Sequence, residues 1–239
     1  MNNKDAKVTA VILAAGKGRR MQSTVQKQYM LLNGRPVLYY ALQCFQNSEV
    51  DDIILVTGPD EMEYCRQEIV KAYGFTKVRC VIQGGAERYE SVYNALAVVE
   101  DADYVMIHDG ARPLLTCEMI SASIESVKRH GACTVAVPAK DTIKEVSENG
   151  FGIRTLDRSR LWNVQTPQTF ELELLKKAYH KMMENGDTDI TDDTMIVERY
   201  LGHSVEMVFG SYSNIKITTP EDMGMAEYLM KNMEKSVLE

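Results

Sequence analysis

Little in this sequence marks a fibrous, secreted or membrane-spanning chain. Its 15 glycines and 6 prolines follow no period, which excludes collagen-like and Pro/Gly-rich disordered chains. The five cysteines, Cys44, Cys65, Cys80, Cys117 and Cys133, are odd in number, widely spaced and without a C-x-x-C pair. Neither a disulfide framework nor a zinc knuckle is expected from them. No apolar run reaches the length that a bilayer requires, and the polar start MNNKDAK leads straight into a strand-like run with no signal-peptide core. Cationic residues are also in deficit, with 27 Lys+Arg against 34 Asp+Glu and a net charge of -7. General nucleic-acid or anionic-membrane binding needs the opposite balance. A reduced, cytoplasmic, soluble protein is expected, and any phosphate-handling site has to be a local basic cluster.

What is present is an alternation. Short β-branched runs at 8–14, 53–57, 78–82, 104–108 and 133–137 are separated by amphipathic stretches of helical length at about 36–47, 60–73, 87–100 and 116–130. That order predicts right-handed βαβ units, hence an α/β fold with a mostly parallel twisted sheet covered by helices on both faces. Ligands in such sheets bind beyond the carboxyl ends of the strands, so the residues after each run are where chemistry is expected. After Pro138 the alternation stops. Residues 142–146 and 151–156 flank an Asn149-Gly150 turn signal and predict a protruding β-hairpin arm, within 139–160. A two-stranded ribbon is marginal in water, so a second copy of the chain is its expected partner. Helices at about 171–185 and 192–201, strands at 205–209 and 215–218, and a final helix opened by Thr219, Pro220, Glu221 and Asp222 complete the reading. No repeat or linker divides the chain, so residues 1–239 read as one domain carrying an arm.

Three glycine-bearing segments follow predicted strands. Ala14-Ala15-Gly16-Lys17-Gly18-Arg19-Arg20-Met21 lets backbone amides approach an anion closely and form a phosphate nest, with Arg20 and then Lys27 adding charge. Met21 occupies the place of a third glycine, which argues against the dinucleotide fingerprint, and no Gly-Lys-Ser/Thr follows at Walker A spacing. A plain basic loop is the bland alternative. In His108-Asp109-Gly110-Ala111-Arg112-Pro113, Asp109 can serve a metal–phosphate complex or a sugar hydroxyl, and Arg112 can grip a phosphate bidentately. The alternative is a surface ion pair of little worth between those two residues, and His108 reads as a packed strand-end histidine. Gly84-Gly85-x-x-Arg88-x-x-Ser91 is a turn that could face a base edge, with Ser91 offering a hydroxyl, or simply a helix start. Thr142, Arg158, Thr166, Thr191, Asp192 and Lys216 are individually unremarkable, and Asp192 and Asp193 by default start a helix.

Taken in order, these segments with Lys27-Gln28-Tyr29, Lys140-Asp141-Thr142-Ile143-Lys144, Thr166-Pro167-Gln168, Thr191-Asp192-Asp193 and Asn214-Ile215-Lys216-Ile217-Thr218 resemble the 2-C-methyl-D-erythritol 4-phosphate cytidylyltransferase family over about residues 8–228. The resemblance implies a Rossmann-like nucleotidyltransferase that moves CMP from CTP to a sugar-alcohol phosphate with Mg2+ held largely by the triphosphate. It also implies a homodimer formed through the arm. By that resemblance Arg20 and Lys27 stabilise the transition state, Arg158 and Lys216 position the sugar phosphate, and Ala14, Ala15, Gly16 and Gly18 wrap the triphosphate. Gly84, Gly85 and Ser91 read cytosine and ribose, while Asp109, on the nucleotide side of the site, also borders the sugar-phosphate pocket lined by Arg112, Thr142, Thr166 and Thr191. A sister family using ribitol 5-phosphate shares several elements, but His108-Asp109-Gly110-Ala111-Arg112-Pro113 and Asp157-Arg158-x-x-Leu161-Trp162 match the methylerythritol type. A non-catalytic nucleotide-binding module is disfavoured by the full cation set, and a nicotinamide dehydrogenase by Met21.

Overall fold

Seven consecutive residues, Val8–Ala14, all buried except the partly buried Leu13, form β1 near the centre of the molecule. The computed structural model describes residues 6–16, 18–21 and 25–236. Lys17 of the first glycine loop lies outside the described residues. After β1 come a small ribbon of β2 (Leu31–Leu32) and β3 (Arg35–Pro36), then α1 (Val37–Gln46) and β4 (Asp52–Thr57). The predicted helix over 60–73 is observed as α2 (Met62–Tyr64) continuing into a π-helical stretch, Cys65–Lys71. β5 (Val78–Gln83), α3 (Arg88–Leu96), β6 (Tyr104–Asp109), α4 (Cys117–His130) and β7 (Ala132–Pro138) complete the alternation.

The hairpin is present but shorter than expected, as β8 (Lys144–Val146) and β9 (Gly152–Thr155). β10 (Trp162–Glu171) leads into α5 (Leu172–Asn185) and α6 (Asp193–Leu201), followed by β11 (Glu206–Phe209) and α7 (Pro220–Ser236). The expected strand at 215–218 is not one. That segment joins no ladder; Ile217 N donates to the Ala111 carbonyl at 2.9 Å and Ile215 N to the Ser213 carbonyl at 2.7 Å. At the start of α7 it is the Asp222 carboxylate that takes the amides of Thr218 and Thr219, both at 2.8 Å.

The main sheet has seven strands in the order β11-β7-β10-β6-β1-β4-β5. All neighbours pair in parallel except β10, which runs antiparallel to both β6 and β7. β1 is buried on both faces because helices cover both. Ala10, Ile12 and Ala14 pack with Leu38, Leu42 and Phe45 of α1 and Ile120 of α4. On the opposite face Val11 packs with Val92 of α3, Leu175 of α5 and Ile196 of α6. Ala226 of α7 joins Met21, Leu32, Val37 and Ile217 in a third cluster, so the last helix lies over the ribbon that follows the glycine loop. Among the described residues no helix is long and apolar enough to cross a membrane.

Candidate active site

The site forms where the parallel strands end. Leu13 of β1 stands in register with Asp109 of β6, so the glycine loop and the His108-Asp109 segment emerge side by side. Because β10 runs the other way, it delivers Gln165 and Thr166, which lie in the break of its ladder just before the residues that pair with β6, to the same end of the sheet. Two recesses of about 260 and 320 Å³ open there and share Arg88, Asp109 and Lys216, making one continuous cleft. The first is lined by Ala14, Ala15, Gly16, Lys27, Gly85 and Ser91, the second by Arg112, Thr166 and Thr191.

Asp109 is the electrostatic centre of the cleft. Its Oδ2 lies 2.7 Å from Lys216 Nζ and its Oδ1 3.2 Å from Arg88 Nε, with Arg112 Nε 3.9 Å away. Burial pushes this carboxyl upward, but Arg88, Lys216 and Arg112 outweigh burial and hold it well below the usual carboxylate range. The surface-ion-pair reading therefore fails, since Asp109 is 7% exposed and bound by several cations. Lys27 is held below the range of a free lysine: burial first, then the charges of Lys216 and Arg20, lower it to about 8. Arg88 reaches further, with Nη2 2.9 Å from Asp193, whose other oxygen accepts from the Tyr179 hydroxyl at 2.5 Å.

Local anchors explain why these side chains stay in place. The glycine turn at 84–85 packs directly on the first glycine loop: a Cβ on Gly84 would stand 2.6 Å from Ala15 Cβ and 2.7 Å from Ser91 Oγ. Ser91 Oγ accepts from Gly85 N (3.0 Å) and donates to the Glu87 carbonyl (3.2 Å), which fixes that turn to the start of α3. Lys216 arrives on the segment held by Asn214, whose side chain donates to the Thr166 carbonyl (2.9 Å) and whose carbonyl accepts from Arg112 Nη1 (2.7 Å). The Thr166 hydroxyl accepts the Asp109 amide (3.2 Å) and donates to His108 Nδ1 (3.0 Å), leaving Nε2 to donate to the Arg112 carbonyl (3.4 Å). His108 is fully buried, and burial lowers it to about 3, so it stays neutral and serves packing. Arg112 Nε is a buried donor with no hydrogen-bond partner, 3.9 Å from Asp109 Oδ2.

The sequence-derived candidates divide in two. Lys27, Lys216, Asp109, Arg112, Ser91, Thr166, Thr191, Ala14, Ala15, Gly16 and Gly85 line the cleft, with Gly84 beneath it and Gly18 against the methylene stem of Lys27. Arg20 stands exposed beside the glycine loop, near enough to act on Lys27. Thr142 and Arg158 are exposed near the arm and line neither recess, and Arg158 Nη1 donates to the Lys140 carbonyl at 2.7 Å. Sequence reasoning placed Arg88 among the cations of the glycine-turn segment without a specific partner, gave Gln28 no role of its own and read Asp193 only as a helix start. Gln28 is buried in a polar setting, and Asp193 is fully buried, a cost that requires a partner such as Arg88.

The fit of a protein-held metal is poor. Among the described residues no group of three or more His, Cys, Asp or Glu side chains could hold one, and Asp109 is already neutralised by cations.

Comparison with known proteins places this geometry among relatives. A model of the 2-C-methyl-D-erythritol 4-phosphate cytidylyltransferase (IspD) family matches residues 8–232. The enzyme of that name from Lachnoclostridium phytofermentans is 50% identical over 225 residues, covering 94% of this chain and 97% of its own. That from Clostridium kluyveri is 48% identical over 223 residues, covering 93% and 96%. Among solved structures, 4-diphosphocytidyl-2C-methyl-D-erythritol synthase from Anaerococcus prevotii superposes with a TM-score of 0.84 at 31% identity, covering 95% of this chain and 96% of that one.

Proposed function

The chain belongs to the 2-C-methyl-D-erythritol 4-phosphate cytidylyltransferase family, and from that premise we propose how its residues divide the work. The reaction is transfer of CMP from CTP to 2-C-methyl-D-erythritol 4-phosphate, giving 4-diphosphocytidyl-2-C-methyl-D-erythritol and pyrophosphate in the non-mevalonate route to isoprenoids. An anionic phosphate attacks another phosphate and the transition state gathers negative charge, so cations fixed in advance matter more than a base. The attacking oxygen is already ionised near neutral pH, and positioning carries much of the rest.

The observation that carries the assignment of roles is the set Lys27, Arg88, Arg112 and Lys216 converging around Asp109 at the strand ends. Ala14, Ala15, Gly16 and Gly18 wrap the triphosphate, and Arg20 and Lys27 neutralise charge developing at its α-phosphate. Gly84, Gly85 and Ser91 face the base and ribose. Arg112, Thr166 and Thr191 receive the sugar phosphate, which Lys216 aligns for attack while Asp109 holds Lys216 in place. Mg2+ rides on the triphosphate and needs no carboxylate cluster of the protein.

Arg158 and Thr142 reach a substrate only if the arm delivers them to another cleft. The reading is a homodimer in which residues 139–160 of one copy clasp the other and lend these two residues to its site. The chain then acts as one nucleotidyltransferase unit with a dimerising arm, in the reducing cytoplasm that its free thiols suit.

Incubation with CTP, Mg2+ and methylerythritol phosphate is expected to release pyrophosphate, and ribitol 5-phosphate is expected to release far less. The reverse preference would move the assignment to the ribitol type.

A further inference from the structure

The stretch that presents Lys27 is held by a carboxylate outside every motif described above. Glu61 ends a single 3-10 turn, Pro59–Glu61, just beyond β4, and its two oxygens collect three donors. Gln26 Nε2 donates to Oε1, and the Tyr29 hydroxyl (2.9 Å) and Gly58 amide (3.2 Å) both donate to Oε2. Gln26 accepts in turn from Gln28 Nε2 at 2.5 Å, and that same amide reaches the carbonyls of Ala14 (2.6 Å) and Gly16 (3.2 Å). Lys27 is thus flanked by residues tied to the end of β4 through Glu61 and to the end of β1 through Gln28.

Two details show how closely this anchor is built. A Cβ on Gly58 would stand 3.0 Å from the carboxylate carbon of Glu61, so glycine there is what lets the carboxylate fold back over the turn. Burial, then the Cys65 thiol at 3.1 Å and the Glu61 carboxylate, push the Tyr29 hydroxyl above its ordinary range, so it remains a donor. Lys27 itself forms no ion pair among the described residues, unlike Lys216, which is held on Asp109. A lysine stem is flexible, and a cation accelerates a reaction only if it is in place beforehand. For Lys27 that placement has to come from the backbone, and the backbone is held by Glu61.

We propose that Glu61 is a positioning residue for Lys27: by holding Gln26 and Tyr29 on either side of it, Glu61 sets the ammonium at the height of the glycine loop. The inference rests on the role assigned to Lys27 above.

The test compares the kinetics of Glu61→Ala, Tyr29→Phe, Lys27→Ala and the double variant Glu61→Ala/Lys27→Ala, each checked for folding by thermal denaturation. Displacement of a catalytic group by about 1 Å costs on the order of 10²-fold, so Glu61→Ala is expected to lower kcat by about 10- to 100-fold, with KM for CTP changed less than about threefold. Tyr29→Phe removes one oxygen, cannot abolish folding by loss of volume, and is expected to give a smaller loss of the same kind. In the Lys27→Ala background, loss of Glu61 is expected to cost less than about twofold more, because the group it positions is gone. Losses that multiply in the double variant, a loss confined to KM, or unchanged kcat in both Glu61→Ala and Tyr29→Phe would overturn the inference while leaving the function intact. Wild-type turnover by Lys27→Ala would instead overturn the role of Lys27, and this inference with it.

Discussion

The cleft and the arm are built on opposite principles. In the cleft, buried carboxylates and half-buried cations are mutually committed: Asp109 is shared by Lys216 and Arg88, and Arg88 also holds the fully buried Asp193. On the arm every residue of β8 and β9 is exposed, its ion pair of Arg154 with Glu145 is solvated, and Phe151 (76% exposed), Ile153 and Val146 face water. A solvated pair of that kind contributes about 0–1 kcal/mol, so the arm owes its position to little within its own chain. The cleft's charges are fixed by contacts within the chain, whereas the arm's residues are left exposed. Separate failure of these two regions is what experiments can look for.

The largest effect belongs to the cleft. Lys27→Ala and Lys216→Ala are each expected to lower kcat by about 10²- to 10³-fold, the range found when one donor to a developing anion is removed. Steady-state rates at saturating CTP check this, and a loss seen only in KM would deny preorganisation. Next comes the arm. Deletion of residues 145–152 is expected to leave a folded monomer with under about a tenth of the activity, since the sheet core lies elsewhere. Sedimentation and rates decide it; an active monomer would erase the contrast. A sharper version mixes two inactive proteins, Lys27→Ala and Arg158→Ala. If each site takes Arg158 from the other copy, random exchange leaves one intact site in half of the dimers, so about a quarter of wild-type activity returns. No recovery after exchange would place Arg158 in its own chain's cleft.

The two regions also differed in how plainly the sequence announced them. The βαβ alternation over 8–138 was legible because strands buried on both faces, such as β1, β4, β6 and β7, are continuous apolar runs; these and the edge strand β5 begin or end within a residue or so of expectation. β10 was not legible. Its residues Gln165, Thr166, Gln168 and Thr169 are polar yet buried, and Pro167 argues against a central strand. The strand tolerates them because the ladder is interrupted between Val164 and Gln168, and because Gln168 spends its amide on Asp192 and the Asp193 backbone. The glycine loops and Lys216 could be found by their position after strands and in motifs. Glu61 could not, because its partners Gln26 and Tyr29 lie more than thirty residues away and no local pattern joins them.

A more moderate effect follows from pH. Only charged Lys27 can neutralise phosphate, and in the free enzyme burial, Lys216 and Arg20 lower it to about 8, while Asp109 and Asp222 oppose that fall. As pH rises through about 8, kcat/KM for CTP is expected to drop, because that ratio reports the free enzyme. The limb in kcat is expected at higher pH, since the bound triphosphate favours the charged form. His108, at about 3 and neutral throughout, contributes no acidic limb. Coincident limbs in the two profiles would mean that Lys27 does not face the triphosphate.

The smallest expected effect probes the back wall of the cleft. Tyr179→Phe removes the hydroxyl that donates to Asp193 and leaves Arg88 to neutralise that carboxylate alone. A hydrogen bond to a charged group contributes about 1.5–3 kcal/mol, so a drop of that size in unfolding free energy is expected by denaturant titration. Activity is expected to change less than about threefold, because Arg88 still reaches Asp109 through Nε. If turnover instead falls as far as it does on loss of Lys216, then the buried Tyr179–Asp193–Arg88 chain sets the position of Asp109. Preorganisation would then extend from the cleft into the helical layer formed by α5 and α6, and the contrast with the arm would be greater still.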